Sequence, residues 1–394
     1  MEKLCLLALA GVPLVMVLGN SALIPVLPAL KKALGLSSFQ AGLVITLFSV
    51  PAGLAIPFTG FLADRFGRRV VLLPALLLYA AGGLLAGLSA VLLKRGVFFF
   101  VLLSRALQGI GAAGTAPVAM TLVGDLFGGG ARSKALGFLE AANGAGKILS
   151  PILGAAVGIF GWFYPFFIFP AFVLPVFLGV LLAVSEPPAD RRAVNAREYK
   201  LMLATAWRQK GLTLGGIFLA GATALLALFG VLFFLSEFIE AEWRTGGFQK
   251  GLFLAVPVFF TCLTAYFTGR FIKRRLNLMP HLAATGLLLV TGALLTLGFF
   301  QENWLPVFAT VGLIGTGTGF TLPCFHTLVT SSVGPDARGI VTALYGGVRF
   351  CGVAAGPPAF WLFAFSFGSF SFPSGRKSVR ACGASGSLFC ARQS

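Results

Sequence analysis

Five ionisable side chains stand inside apolar runs, where charge is costly: Arg105, Glu140, Lys147, His326 and Arg349. Groups in such places carry protons, bind charged solutes or brace one helix against another. Glu140 and Lys147 are seven residues apart, which puts them on one face of a helix. Glu140 reads equally as a proton carrier and as the partner of a nearby cation such as Lys134. Lys147 meets either that carboxylate or an anionic cargo, and Arg349 has similar standing. Arg105 is followed one turn later by Gln108, and it reads as a coupling group, as a brace, or as a side chain snorkelling to its helix end. The first apolar run offers only Asn20 and Ser21, with no acid to carry a proton. Covalent chemistry has no support: there is no HExxH, no paired intramembrane carboxylates and no Ser/His arrangement, and His281 and His326 are far apart. The six cysteines show no CxxC and no metal spacing, and no nucleotide-binding loop is present, so neither metal nor cofactor is expected.

The elements that position these groups follow from composition. Of 394 residues, 57% are apolar and 11% charged, and mean hydropathy is +0.93. A soluble domain carries about 25% charged residues, so this chain cannot clothe a water-soluble globule. A bilayer core about 30 Å thick needs about 20 helical residues. Runs of that length occur at 5–30, 41–62, 70–93, 97–123, 135–160, 162–184, 213–236, 250–272, 280–299, 305–330 and 340–363, eleven spans in all. The first is too long for a signal peptide and lacks a cleavage site. The net charge of +18 reflects topology and not nucleic-acid binding, because the basic residues sit mostly between the spans. With the N-terminus inside, the inner loops hold seventeen Lys and Arg against six outside, so a cytoplasmic N-terminus in the cell (inner) membrane is expected.

The chain repeats itself at an offset of 206 residues. Gly109, Gly111, Thr115, Pro117, Thr121-Leu122-Val123, Gly128 and Ala131-Arg132 recur as Gly315, Gly317, Thr321, Pro323, Thr327-Leu328-Val329, Gly334 and Ala337-Arg338, and Gly146 and Pro151 recur as Gly352 and Pro357. The offset covers six spans, an even number, so both copies run in the same direction. Parallel repeats about an axis along the membrane normal enclose a site at mid-membrane. The resulting division is an N-terminal six-helix bundle at 1–184, a cytoplasmic linker at 185–212 and a five-helix bundle at 213–363.

Three motifs are superimposed on this frame. Between spans two and three stands Gly60-Phe61-Leu62-Ala63-Asp64-Arg65-Phe66-Gly67-Arg68-Arg69. Span four carries Arg105-Ala106-Leu107-Gln108-Gly109-Ile110-Gly111-Ala112-Ala113. Span five carries Gly137, Gly146, Ser150, Pro151 and Gly154 in the spacing G-x8-G-x3-SP-x2-G. In their order and spacing these resemble the loop, span-four and span-five signatures of the major facilitator superfamily, the last that of its antiporter, drug-efflux branch. Ser150 and Ala155 replace two glycines of that signature. The resemblance implies an all-α fold of two six-helix repeats, and a secondary transporter working by alternating access, with a small molecule and protons as its partners and the lipid bilayer as its surroundings. A monomer is expected. It implies that Asp64 caps the N-terminus of span eleven near Arg338 and Gly339 when the inner gate is shut, and that Arg68 pairs with Asp125. The second copy of the loop, Gly269 to Arg275, is worn, with Lys273 at the position of Asp64. Alternatives are an importer of an organic anion or metabolite, or a polytopic receptor or enzyme.

The offset calls for a twelfth span at about 368–390. That stretch holds Arg376, Lys377 and Arg380 at its centre and cannot span a membrane. A shift of reading frame shortly after Pro358 is the expectation for 364–394. Phe233, Phe234, Phe259 and Phe260 either wall a drug-binding cavity or face lipid.

Overall fold

A bilayer offers no water to backbone N–H and C=O groups, so a chain this apolar must satisfy them within helices. The computed structural model describes residues 2–186, 196–242, 247–272, 278–297 and 304–367. The described residues are helical nearly throughout: α1 (Glu2–Ser21), α2 (Leu27–Leu34), α3 (Ser38–Phe66), α4 (Arg68–Leu92), α5 (Val97–Ala113), α6 (Ala116–Leu126), α7 (Gly129–Gly158), α8 (Pro165–Ala183), α9 (Ala196–Glu242), α10 (Gly247–Ile272), α11 (Met279–Leu297), α12 (Trp304–Ser332) and α13 (Pro335–Phe367). Ten segments among the described residues are long and apolar enough to cross a membrane. Helix α7, with Glu140 and Lys147, corresponds to the remaining expected span. Of the expected tail, 364–394, residues 364–367 are helical as the end of α13, and 368–394 lie outside the described residues, as does Lys273.

Proline decides where two expected spans break. Pro117 has no N–H to give to Ala113 O, and α5 ends there; Thr59 Oγ1 donates to that carbonyl at 3.0 Å instead. Pro25 leaves Ser21 O in the same position, and α1 ends at Ser21 before a short 3-10 turn at Ile24–Val26. Helix α3 starts on a capping box, with Ser37 Oγ accepting from Gln40 N at 3.2 Å and Gln40 Oε1 accepting from Ser37 N at 2.8 Å. The α3–α4 corner turns at Gly67, whose φ of 124° only glycine adopts freely. The segment expected as a linker is helical from residue 196, and α9 is continuous apart from a kink at Lys210.

Small residues set the helix seams, and the repeat shows in them. A Cβ on Gly109 would lie 2.1 Å from Phe48 O of α3; one on Gly315 would lie 2.1 Å from Pro257 O of α10. Gly111 meets α4 at Tyr79 N, and Gly317 meets α11 at Gly286 O. Gly146 backs onto Leu14 of α1, and Gly352 onto Ala222 of α9. Glycines matched at the 206-residue offset thus close matching pairs of helices in the two repeats.

The two repeats meet along α3–α13 and α7–α10. Both seams taper. Along α3 the nearest atom to an added Cβ is 3.1 Å away at Gly42 (Pro357), 2.7 Å at Gly53 (Gly347 O) and 4.0 Å at Gly60 (Ala343). Along the second seam it is 3.0 Å at Gly247 (Ile159), 2.7 Å at Gly251 (Ile152) and 3.9 Å at Gly144 (Cys262). Beyond that point Gly137 and Gly269 meet nothing within 4 Å. The molecule is therefore closed at the end that carries Lys31 and opens toward the end that carries Arg68. These ends are called the Lys31 face and the Arg68 face below.

Gly154→Ala should prove the point about seams. Its Cβ would sit 1.8 Å from Ala22 O, so overpacking of about 1–3 kcal/mol is expected, seen as a lower melting temperature in detergent. Gly137→Ala, with nothing within 4 Å, should melt within a degree or two of the parent, and equal melting of the two variants would refute this account.

Candidate functional site

Arg105 is wholly buried in the N-terminal repeat and does not snorkel. Its Nε donates to Val44 O at 3.1 Å and its Nη1 to Gly19 O at 2.9 Å, with Gln108 Oε1 as a further acceptor. The guanidinium lies over the Phe48 ring, 4.3 Å from its centroid. One side chain of α5 thereby ties α1 to α3. Asn20 is buried close to this group in sequence, one residue beyond Gly19. Tyr79 of α4 closes the same corner by donating to Val15 O at 2.9 Å.

The loop signature forms a network on the Arg68 face. Arg68 pairs with Asp125 at the end of α6, as its motif implies, and also donates to Thr121 O. Asp64, about half exposed, has its Oδ1 3.7 Å from Arg68 Nη2. Arg338 donates from Nε to Thr330 O at 3.0 Å, and a Cβ on Gly339 would meet nothing within 4 Å. Sequence reasoning missed the group that anchors this corner. Glu186, just after α8, accepts from Arg68 N at 2.9 Å and Arg69 N at 2.8 Å, one carboxylate oxygen to each. It supplies the N-terminal cap that Gly67 cannot, at the positive end of the α4 dipole. Arg69 Nη2 reaches Leu181 O at 2.6 Å. Arg65 lies over the Phe66 ring.

The Lys31 face carries a latch that was also missed. Lys31, at the end of α2, pairs with Glu237 of α9, and Ser38 Oγ lies 3.1 Å from Lys31 Nζ. Glu237 is buried. Beside it Lys250 of α10, also buried, pairs with Glu240 at 2.7 Å, and Ser236 Oγ donates to Ile24 O at 2.7 Å. Lys31 and Glu237 are 206 residues apart, the repeat offset itself. Equivalent positions of two parallel repeats can meet only near the axis that relates them. That offset is the signal by which the pair was findable in the sequence.

Between these faces α7 has two working sides. Its small residues pack on α1: Gly146 on Leu14, Ser150 by donating to Leu18 O at 3.2 Å, and Gly154 on Ala22. Pro151 O lies close to Gly251 of α10 in the other repeat. Further along, Glu140 is exposed and accepts from Asn143 Nδ2 at 3.3 Å; no ion pair joins it to Lys134. Lys147 and Glu140 both act electrostatically on Cys262 of α10, and Glu140 and Arg349 both act on His326 of α12. Four helices thus contribute ionisable groups: α7 brings Glu140 and Lys147 from one repeat, and α10, α12 and α13 bring Cys262, His326 and Arg349 from the other. Of the aromatic candidates, Phe233 and Phe234 are buried in the core, whereas Phe259 and Phe260 are exposed on the apolar exterior.

Two repeats whose seams taper, a charged pair at the closed end and ionisable groups of both repeats beside the wider end are the architecture of a membrane transporter. The chain belongs to the Major Facilitator Superfamily, whose pattern matches residues 9–357. It is 40% identical over 357 residues to the bacillibactin exporter of Bacillus subtilis (strain 168), covering 90% of this chain and 88% of that one. It is 26% identical over 350 residues to the class C tetracycline resistance protein of Escherichia coli, covering 85% and 83%. Its fold is similar to a bacterial homologue of the human lysosomal transporter Spinster in an inward-facing, unoccupied conformation, with a TM-score of 0.73 and 20% identity over 90% of this chain and 80% of that one. The chain is a multi-pass membrane transporter of small molecules, and not an enzyme.

Loosening the Lys31–Glu237 pair should favour the state open at that face. Removing a partly buried pair worth roughly 1–2 kcal/mol shifts such an equilibrium about five- to thirtyfold. Spin labels at Ser38 and Glu240 should show a longer-distance population in Lys31→Gln, and an unchanged distance distribution would dismiss the latch.

Proposed function

We propose that this transporter exports a small molecule by alternating access, with protons moving the other way. The observation that carries the reading is the tapered cleft, closed by Lys31–Glu237 at one face and lined by ionisable groups of both repeats where it widens. Identity of 40% with the bacillibactin exporter, over nearly the whole of both chains, supports export and makes bacillibactin the cargo to try first. The excess of basic loops at the Arg68 face supports a cytoplasmic position for that face and for the N-terminus, in the cell membrane. In this orientation the cleft opens to the cytoplasm, where an exporter loads. The N-terminal repeat, braced by Arg105, and the C-terminal repeat then rock about the axis marked by Lys31 and Glu237.

Coupling is assigned to Glu140. The apolar part of α1, from Cys5 on, has no acid, and the other carboxylates near the gates are engaged: Asp64 and Asp125 with Arg68, Glu186 with the α4 N-terminus, Glu237 and Glu240 with lysines. Glu140 is exposed in the cleft and holds one long hydrogen bond. A carboxylate so placed exchanges protons with the aqueous side it faces. When the Lys31 face opens and the Arg68 face shuts, Asp64 serves as the cap of α13, a role that a carboxylate at a helix N-terminus fills for about 0.3–1 kcal/mol.

Everted membrane vesicles test this. Bacillibactin should accumulate inside them several-fold faster when their interior is acidified. Glu140→Gln should erase that stimulation while keeping bacillibactin counterflow, and Asp64→Asn should cut uptake at least fivefold with normal membrane insertion. Uptake indifferent to the pH gradient would overturn proton coupling, and no uptake of bacillibactin would overturn the cargo.

A further inference from the structure

The cleft cluster is unevenly charged, and its imbalance selects a class of cargo. Lys147 and Arg349 each bring a positive charge, and Glu140 is the carboxylate that acts on both Cys262 and His326. The site therefore holds at least one uncompensated positive charge. Its placement follows from the repeat. Arg349 stands 206 residues after Asn143, so the two occupy equivalent positions on α13 and α7 at the same depth on opposite sides of the axis. Asn143 is one turn from Glu140 and one turn from Lys147, all on one face of α7. Arg349 is half-buried, with its guanidinium 5.5 Å from the Tyr345 ring centroid, and its Nε is fully enclosed without an acceptor among the described residues. His326 is open to solvent although protein surrounds it, which is the situation of a side chain lining a cleft.

A buried donor without an acceptor is costly, and a guanidinium presents several N–H groups in a planar fork. Arg105 also has an enclosed nitrogen, Nη2, without an acceptor among the described residues, but its other donors go to Val44 O, Gly19 O and Gln108 and it is wholly buried inside its own repeat, whereas Arg349 is partly exposed. We infer that Lys147, His326 and Arg349 form an anion-binding site straddling the two repeats, and that the cargo is an organic anion whose negative group bridges Lys147 of α7 and Arg349 of α13. The inference rests on the transport reading and specifies its substrate class.

Cys262 stands beside Lys147 and Glu140, is half-buried, and gives S–H to Gly144 O at 3.8 Å. Its thiol can therefore report the local potential without turnover. The purified full-length chain in nanodiscs is treated with 2-sulfonatoethyl methanethiosulfonate or with its trimethylammonioethyl counterpart, and the Cys262 peptide is followed by mass spectrometry. After correction for the reagents' rates with a free thiol, the sulfonate should react about tenfold faster. Lys147→Gln with Arg349→Gln should abolish or reverse that preference, while Lys147→Arg should keep it. A preference of the parent chain for the cationic reagent, the same ratio in the doubly substituted chain, or no reaction of Cys262 with either reagent would overturn the site. The parent ratio decides the matter even where the double variant fails to fold. Because labelling needs no transport, a cationic preference in a chain that exports removes the anion site and leaves the export reading standing.

Discussion

Helices in a bilayer gain little by hiding apolar surface from one another, because lipid is as apolar as leucine. Their association depends on how closely backbones approach and on the few polar bonds between them. In this chain that constraint divides the contacts into two kinds. Within each repeat, small residues bring backbones so close that an added Cβ would lie about 2 Å from a carbonyl oxygen, at Gly109, Gly154, Gly315 and Gly352. Between the repeats the same measure runs from 2.5 Å to 4.0 Å and then to open space. A close-packed seam resists deformation, whereas a loose one slides or parts. Two stiff bodies with a compliant seam follow from where the glycines are.

Charge is distributed to suit the same division. Inside the N-terminal repeat Arg105 is consumed by its own bundle, tying α1 and α3 through carbonyls and the Phe48 ring. At the two faces, by contrast, the ion pairs are arranged near surfaces where water can take over their hydration. A pair with one partly exposed partner, such as Lys31 with Glu237, is cheaper to break than a fully buried one. Glu186 adds a permanent anchor. By capping α4 with both oxygens, it fixes the turn at Gly67 and so holds the Asp64–Arg68–Asp125 network in position.

Much of this was legible in the sequence. The spans followed from composition, the two parallel repeats from the 206-residue offset, and the Arg68–Asp125 pair from the loop signature that the chain resembles. What escaped did so for physical reasons. Glu186 lies at the foot of a run of prolines and charges, and nothing local shows that a carboxylate there reaches back 118 residues to cap a helix. The breaks at Ser21 and Ala113 needed the rule that proline withholds a hydrogen bond from the carbonyl four residues earlier, applied to Pro25 and Pro117. Glu237 sits in the run Phe233–Ile239, where periodicity says only that the helix is apolar; its partner appears once the offset is applied to Lys31.

The repeat also explains why the cleft is asymmetric. Perfectly duplicated halves would present identical groups across the axis, and a charge there would face its own copy. Lys31 opposite Lys31 would repel and Glu237 opposite Glu237 likewise, so the axial pair works only because the copies have diverged to opposite signs. The same holds deeper in, where Asn143 and Arg349 occupy equivalent places: a second arginine in place of Asn143 would leave the empty cleft with cations confronting one another, and a second asparagine would leave it nearly neutral. One amide and one guanidinium, with Lys147 and Glu140 on the face of Asn143, leave the two sides of the axis unlike in charge. Duplication supplies two matching bundles about one axis, and divergence at equivalent positions supplies the opposite charges of Lys31 and Glu237 that join them.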